Sequence, residues 1–398
     1  MELCLLASGR MQMCKRFLEL LLCVCPFVWL ASVAIGAEYT AKVLLDARTA
    51  CGNENADASQ VKLSDSGYVT GLLGGKFAFL WHADSVAYLT LPKVDNPTYI
   101  FRPSDRGEVV LNHIDSSVPT VCVWRCPDTS RGGKAAFVDL GDGKPLITAV
   151  NSSGAAVGYC HTPSLSNYPF VITNGRATIL PYYEDLFLAY AYGINQRGDV
   201  VGQILHRYSE DNPRKLVAEA CCWRGGEVVF LGMLEGCEKS SAKLVNSKGQ
   251  VVVESSPDSS FVSRWSLWTN GAHQEIVLPD DARNCVICGL NDSGQVIGQF
   301  CNSQNITCGF LWAKGKLTLL TIPQDKPIVP KALNNKGQIV GNQGQDAYLW
   351  ENGAAHALPK PVKLTDAAAT DINSSGVIAG TCNRRVAIVW TPVAEPDK

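Results

Sequence analysis

INQRGDVVG, residues 194–202, contains the motif from which the fold of the whole chain can be derived. An asparagine at the first turn position, here Asn195, can bond its own backbone, and a glycine three residues later, here Gly198, can adopt a positive φ. This pattern is typical of a type I turn followed by a glycine bulge, a common three-residue hairpin connection. The flanking runs are short and rich in valine and isoleucine, which favours strands. The segment therefore predicts a β-hairpin.

The same hairpin motif recurs eight times along the chain. The central glycines of successive copies are 40, 47, 44, 51, 45, 43 and 39 residues apart. A period of this size is typical of solenoids and β-propellers. The copies are 63–71, 103–111, 150–158, 194–202, 245–253, 290–298, 333–341 and 372–380.

A second apolar run follows each hairpin and ends in tryptophan in seven of the eight copies. The third copy ends in Ile172 instead. Pairs such as Asn174-Gly175 then lead into a fourth run, because Asn-Gly favours two-residue hairpin turns. Each copy therefore predicts a four-stranded antiparallel meander. The tryptophans are Trp81, Trp124, Trp223, Trp268, Trp312, Trp350 and Trp390.

The two ends of the chain predict how the copies are arranged. A four-stranded sheet cannot bury both of its faces alone, so the copies must pack face to face. The eighth copy stops after its third strand, whereas an orphan strand, YTAKVLLD at 39–46, precedes the first copy. If this strand completes the last blade, the ring closes. The sequence thus predicts an all-β, eight-bladed β-propeller over residues 38–398, with an open solenoid as the alternative.

Residues 1–37 predict an export signal. Basic Lys15 and Arg16 precede an apolar run at 17–34, and small residues follow at 35–37. This order is typical of a secretory signal peptide. The alternative is an uncleaved membrane anchor, although Glu19 and Pro26 interrupt the run. We therefore expect a secreted, periplasmic or cell-surface protein that is not inserted in a membrane after cleavage.

Composition narrows the classes of function. The chain has 398 residues, of which 46% are hydrophobic and 18% charged, so it can bury a large core. Length alone suggests two or three domains, and the repeat replaces that expectation with one ring. The formal net charge is −2, and no basic face is available for a phosphate backbone. Nucleic acid is therefore not an expected partner.

The hairpin, the KFAFLW segment at 76–81 and the Asn-Gly turn together resemble the bacterial "probable extracellular repeat" family, named for a His-Ala-Phe (HAF) signature. The resemblance covers residues 60–392. The signature histidine is missing, because Phe77, Asp346 and Val386 stand before the alanine. The resemblance implies export and a repeated β-fold. It implies no catalytic residues.

Irregular loops are expected on one face of the ring. The loops between second and third strands share that face with the inter-blade segments, and the tight turns occupy the other. The longest such loop is 204–220, and the inter-blade segment 181–190 belongs to the same copy. Aromatic side chains flanked by charges suit an extracellular glycan or protein ligand, although a long exposed loop is also polar without being a site. The candidate ligand-binding residues are Tyr182, Tyr183, Glu184, Asp185, His206, Arg207, Tyr208, Glu210, Asp211, Arg214 and Lys215.

Signals for an enzyme are absent from the sequence. It contains no GxSxG elbow, HExxH helix or phosphate-binding GxxxxGK[ST] loop. The six histidines lack metal-ligand spacing, and DLGDG at 139–143 lacks the remaining ligands of a calcium loop. We expect neither a metal nor a cofactor. A binding or interaction module is favoured; the alternatives are a carbohydrate-active enzyme with acidic residues at the axial opening and a non-catalytic surface protein.

Twelve of the sixteen cysteines lie outside the predicted signal peptide, and an even number permits disulfides in an exported protein. Cys301 and Cys308 bracket a loop between a second and a third strand, and they are the predicted disulfide pair. Cys285 and Cys288 have the spacing of a redox or zinc half-site without a second half. Burial as a small hydrophobic residue is the alternative, and we expect it for Cys221.

Overall fold

The structure of the chain is a computed structural model. The predicted signal peptide, residues 1–37, lies outside the described residues. Among the described residues no helix is long and apolar enough to cross a membrane. The described residues are 38–74, 77–89, 97–114, 119–126, 128–130, 133–138, 140–141, 143–162, 166–182, 188–209, 212–257, 263–323 and 326–393.

The described chain forms eight antiparallel sheets, one for each copy of the repeat. These sheets are the blades, numbered in chain order. Strand β1 (Tyr39–Asp46) and helix α1 (Ala47–Cys51) precede them. Blade 1 comprises β2 (Ala58–Leu63), β3 (Val69–Leu73), β4 (Phe77–His82) and β5 (Ser85–Leu89). Blade 2 comprises β6 (Pro97–Ile100), β7 (Glu108–Ile114), β8 (Pro119–Arg125) and β9 (Lys134–Phe137). Blade 3 comprises β10 (Lys144–Val150), β11 (Ala156–His161), β12 (Asn167–Thr173) and β13 (Arg176–Ile179). Blade 4 comprises β14 (Ala189–Ile194), β15 (Val200–Ser209), β16 (Asn212–Arg224) and β17 (Glu227–Gly232).

The remaining four blades repeat this order, and blade 6 carries a short fifth strand. Blade 5 comprises β18 (Lys239–Val245), β19 (Val251–Ser256), β20 (Arg264–Thr269) and β21 (Ala272–Glu275). Blade 6 comprises β22 (Arg283–Leu290), β23 (Val296–Cys301), β24 (Thr307–Ala313), β25 (Lys316–Ile322) and β26 (Lys326–Pro327). Blade 7 comprises β27 (Val329–Leu333), β28 (Ile339–Gln343), β29 (Asp346–Glu351) and β30 (Ala354–Ala357). Blade 8 comprises β31 (Ala367–Ile372), β32 (Ile378–Cys382), β33 (Val386–Pro392) and β1.

The ring closes through the first strand of the chain. Strand β1 pairs with β33 in antiparallel register from Tyr39 opposite Pro392 to Asp46 opposite Val386. The predicted eight-bladed propeller, including its closure by the orphan strand, is therefore confirmed. Helix α1 follows β1 directly and is only five residues long.

The turn chemistry of the repeat is as the sequence predicts. Gly198 has a φ of 85°, and its backbone N–H donates to the carbonyl of Asn195 at 3.2 Å. The Asn195 Oδ1 atom accepts hydrogen bonds from the backbone N–H groups of Arg197 and Asp199, both at 2.9 Å. Because the side chain satisfies two backbone donors, these bonds within the turn do not depend on contacts between blades.

Apolar side chains fill the seams between neighbouring blades. The tryptophans that end the third strands contribute the largest of them: Trp124, Trp312 and Trp390 are almost completely buried. An aromatic side chain buries about 150–250 Å², which at roughly 25 cal/mol per Å² contributes about 4–6 kcal/mol. The indole N–H of Trp223 also donates to the inter-blade carbonyl of Pro181 at 2.6 Å, which fixes the connection to blade 4.

The first strands of the blades lie at the centre of the ring, where most of them contact the first strand of the next blade. Six of these strands are bulged at the residue that lies six positions before the hairpin glycine. The bulge residues are Thr148, Tyr192, Lys243, Cys288, Lys331 and Thr370.

The expected loop 204–220 is mostly strand. Its residues continue the hairpin of β15 and β16, with Ile204 opposite Glu219 and Arg207 opposite Leu216. Ile204 and Val217 are buried, so the apolar residues of this segment extend the sheet instead of forming a loose loop. This part of the sequence expectation is wrong, because alternation of apolar and polar residues continues beyond the point at which the other copies turn.

Candidate functional site

The predicted patch on the irregular face falls largely outside the part of the chain that can be described. Residues 183–187, 210 and 211, which include Tyr183, Glu184, Asp185, Glu210 and Asp211, lie outside it, as do the side chains of 207–209 and 212–215. The candidates Arg207, Tyr208 and Arg214 are therefore placed only as members of β15 and β16. Tyr182 and His206 are the two predicted residues whose side chains are described.

Tyr182 and His206 both belong to the side of blade 4 that faces blade 3. Tyr182 is half-buried against the apolar seam between these blades. His206 Nε2 lies 2.8 Å from Glu219 Oε2, and its ring is 4.7 Å from that of Phe230. His206 is therefore held by its own blade.

A set of aromatic residues lies instead where the first strands line the axial channel. A cavity of about 410 Å³ opens there between blades 2 and 5, and the bulge residues Thr148, Tyr192 and Lys243 line it together with Tyr99 and Phe101. Tyr99 is half exposed, and its ring lies 5.1 Å from that of Phe101. Four successive blades therefore contribute side chains to one space.

Tyr192 also contacts two further tyrosines, Tyr159 and Tyr190, along the seam between blades 3 and 4. The rings of Tyr190 and Tyr192 are nearly parallel, at 5° and a centroid separation of 5.9 Å. Tyr159 meets Tyr190 edge-on at 4.9 Å, and Asn167 Nδ2 donates to the Tyr190 hydroxyl at 2.7 Å. Burial, together with Tyr190 and Tyr159, raises the pKa of Tyr192. Its hydroxyl therefore remains a hydrogen-bond donor at neutral pH.

Lys243 supplies the cation of the group. Its Nζ atom lies 4.6 Å from the centre of the Tyr192 ring and 3.1 Å from Glu254 Oε2. A lysine over an aromatic face is attracted by the ring quadrupole, and the carboxylate balances its charge. The site is thus aromatic, hydroxyl-rich and close to neutral. We call Tyr99, Phe101, Tyr159, Tyr190, Tyr192 and Lys243 the channel cluster.

At the opposite end of the channel, hydrogen bonds join each blade to the next. In each of six copies the Nδ2 of the repeat asparagine donates to the turn carbonyl of the next blade at 2.9–3.2 Å. The first two copies have Ser64 and Ser104 at this position, whose hydroxyls serve their own turns. This end of the molecule is therefore built mainly for closure of the ring.

Charged groups at that end are already paired. Arg102 of blade 2 reaches past blade 1 and makes a two-pronged ion pair with Asp371 of blade 8, in which Nε lies 3.1 Å from Oδ2. Asp371 is 4% exposed, and its charge raises the pKa of Arg102. Asp65 and Asp292 line a polar cavity of about 350 Å³ and accept backbone hydrogen bonds from the neighbouring blade. These carboxylates hold the ring together.

A serine–histidine pair occurs in blade 5. Ser266 Oγ lies 2.9 Å from His273 Nδ1, and His273 Nε2 lies 2.8 Å from the carbonyl of Leu231 in blade 4. Ser266 is completely buried, so no substrate can reach its hydroxyl. The pair joins two blades. Within the described residues, no three metal-ligating side chains converge.

The expected disulfide between Cys301 and Cys308 is not formed. Cys301 lies opposite Thr307, whereas Cys308 lies opposite Phe300, so the two thiols project from opposite faces of the sheet. The predicted loop is shorter than expected because β23 and β24 continue up to these cysteines. Cys221 is completely buried, as expected. Burial raises the pKa of Cys285 to about 12, which keeps that thiol protonated.

The channel cluster was not found from the sequence, although a signal was present. The run AYAYG at 189–193 places Tyr190 and Tyr192 two residues apart in a first strand. Tyr159 also replaces the asparagine or glutamine that other copies have at the same second-strand position, such as Asn112 and Gln203. Aligning the copies by their hairpin glycines would have shown these departures.

No family model matches the chain, and no curated protein matches it. Among solved structures, 307 chains are similar. A structure from the analysis of two prolyl endopeptidases has a TM-score of 0.52 and 12% identity, covering 82% of this chain and 54% of that chain. A catalytically inactive virginiamycin B lyase from Staphylococcus aureus with quinupristin has a TM-score of 0.44 and 13% identity, covering 89% and 100%. The β-propeller domain of the Trilobed protease from Pyrococcus furiosus has a TM-score of 0.48 and 9% identity, covering 78% and 99%. Similarity at this level of identity concerns the fold alone.

Proposed function

We propose that this propeller is an exported, non-catalytic binding module that holds an uncharged glycan in its axial channel, at the channel cluster. The observation that carries the proposal is the nearly parallel pair Tyr190 and Tyr192 beside a cavity of about 410 Å³. Cavities of about 300–1,000 Å³ lined by aromatic side chains with a few polar groups are typical of small-ligand sites.

The chemistry of the cluster favours a sugar over other ligands. Aromatic rings offer flat apolar faces to the C–H faces of a sugar ring, and tyrosine hydroxyls bond its hydroxyl groups. The charge of Lys243 is balanced by Glu254 at 3.1 Å, so the site offers little attraction to a polyanion. A neutral oligosaccharide fits both properties.

Export and family membership belong to the same proposal. Residues 1–37 direct secretion and are removed, and the chain is a member of the HAF repeat family that has lost the signature histidine. Mass spectrometry of the protein recovered outside the cell tests export: a new N-terminus between residues 35 and 38 supports it. Recovery of the intact chain inside the cell contradicts it.

A glycan array with the purified chain tests ligand binding. We expect binding to neutral oligosaccharides, and the variants Tyr190→Ala and Tyr192→Ala to weaken it at least about tenfold, since truncating a central aromatic residue typically has this effect. Tyr88→Ala is the matched control, because Tyr88 is 46% exposed on the outer strand β5.

Two outcomes contradict the proposal. If no glycan binds, or if Tyr88→Ala weakens binding as much as Tyr192→Ala, the channel cluster is not a glycan site. A variant with a shortened β15–β16 hairpin shows whether the ligand binds in the channel or on the irregular face. Loss of binding in that variant, with normal binding by Tyr192→Ala, would assign the ligand to the irregular face.

A further inference from the structure

Blade 5 departs from the repeat at one buried position. Trp265 lies opposite Glu254, and Glu254 follows the hairpin glycine, Gly249, by five residues. The same position holds alanine in four other blades and glycine in a fifth, and the two remaining blades have Val121 and Pro169, so tryptophan is the largest residue found there. The small residues are Ala78, Ala220, Ala347, Ala387 and Gly309. A small residue allows neighbouring blades to pack closely, so the fold does not require an indole at this position.

Among the residues that the structure describes, the indole N–H of Trp265 has no hydrogen-bond partner, although the residue is only 7% exposed. Two tryptophans that end third strands differ in this respect: the N–H groups of Trp223 and Trp390 donate to inter-blade carbonyls at 2.6 and 2.7 Å. Buried donors are nearly always satisfied, because an unmade hydrogen bond in the interior is costly. An acceptor from outside the chain would satisfy this donor.

Trp265 also lines a cavity of about 520 Å³ in the seam between blades 5 and 6. Ile276, Leu278 and Ala282 contribute an apolar wall to the cavity. Its charged residues balance one another, since Arg264 makes a two-pronged ion pair with Glu275 at 2.6 and 2.7 Å. The remaining lining charges, Arg283 and Asp280, are opposite in sign and exposed at the rim.

We propose that this cavity is a second binding site, which takes an uncharged, ring-sized apolar molecule whose carbonyl oxygen accepts a hydrogen bond from Trp265 Nε1. The apolar wall contacts the hydrocarbon part of the ligand, and the indole N–H donates to the carbonyl oxygen of the ligand. Because the charges that line the cavity balance one another, a ligand without net charge is favoured. The site lies in a different seam from the channel cluster and does not depend on the proposed glycan function.

A matched pair of probes tests this inference. 1-Tetralone and tetralin have the same bicyclic shape and differ in the carbonyl group. Titration of the full chain, followed by ligand-detected NMR, should give about three- to tenfold tighter binding of tetralone, the range expected for one net hydrogen bond. In ¹⁵N spectra the indole resonance of Trp265 should shift only with tetralone.

Three variants separate the contributions. Trp265→Phe removes the N–H and should abolish the preference, whereas the control Trp268→Phe in the same strand should keep it. Ala282→Phe fills the cavity without altering the indole and should prevent binding of both probes. Equal affinities, no binding of either probe, or a preference that survives Trp265→Phe or Ala282→Phe would each overturn the proposal.

Discussion

Replacing Asn246 by serine removes one inter-blade hydrogen bond while leaving the turn of blade 5 intact. Asn246 is 4% exposed, and its Nδ2 donates to the carbonyl of Asn291 at 2.9 Å and to Gln250 Oε1 at 2.8 Å. Its Oδ1 accepts from the backbone of Lys248 and Gln250 at 3.1 and 2.9 Å. A serine hydroxyl can keep the second pair, as Ser104 does in blade 2.

The magnitude follows from counting the bonds lost. A buried hydrogen bond contributes about 1 kcal/mol net. Asn246→Ser loses both bonds that Nδ2 donates, the inter-blade bond to Asn291 and the bond to Gln250, so it should lower the free energy of unfolding by about 2 kcal/mol. Asn246→Ala loses all four bonds and should lower it by about 4 kcal/mol. Asn335→Ser is the matched control, because Asn335 is exposed and its bonds to Asp292 compete with water. We expect that change to cost less than about 1 kcal/mol.

Equilibrium urea unfolding measures these differences, and hydrogen exchange of the turn amides locates them. Exchange should accelerate in Asn246→Ser at the seam between blades 5 and 6 and stay slow within the turn of blade 5. If Asn246→Ser is as stable as the parent chain, the inter-blade bond contributes nothing. If it is as unstable as Asn246→Ala, serine does not preserve the turn and the reasoning fails.

Three further predictions concern other parts of the ring. Burial opposes the charge of Asp199, but hydrogen bonds and neighbouring arginines outweigh burial and lower the pKa of Asp199 below the ordinary 3.8. The stability that the charged carboxylate contributes is therefore present above that pH and is lost as the pH falls through the folded pKa. The urea midpoint of Asp199→Asn should decline less steeply below about pH 4 than that of the parent chain, and an equal decline in both proteins would contradict this. Alkylation without reductant should label both Cys301 and Cys308, and a mass lower by two hydrogen atoms, with neither cysteine labelled, would show a disulfide. Arg102→Met should lower the free energy of unfolding by about 3 kcal/mol more than the double variant Arg102→Met, Asp371→Asn does, because the single change leaves a buried carboxylate unpaired. Urea unfolding that shows the reverse order of stability would exclude a buried ion pair.

Short-range chemistry explains why the blades could be derived from the sequence. The Asn and Gly of each hairpin act within a few residues of one another, as the bonds within the turn of Asn195 illustrate. The count of copies and the orphan strand at 39–46 then determined the closure of the ring. None of these steps required knowledge of which side chains meet across a seam.

Predictions from local sequence were wrong where strands extend further than in the other copies. Residues 204–220 were expected to form a loop, because their length exceeded that of the other copies, but Ile204 and Val217 are buried and continue the sheet. The Cys301–Cys308 pairing failed for a related reason: a one-residue difference in register sends neighbouring side chains to opposite faces.

The type of fold, the number of blades and the strand that closes the ring follow from the amino-acid sequence, because turn chemistry and repeat period are local properties. The concentration of binding chemistry in one place follows from the packing of the blades. Tyr159 and Tyr192 are far from Tyr99 and Lys243 in the chain, and closure of the ring brings their blades around one channel. Trp265 is likewise an ordinary apolar residue in the sequence. It becomes informative only in the folded chain, where its N–H is buried without a hydrogen-bond partner in the part of the chain that the structure describes.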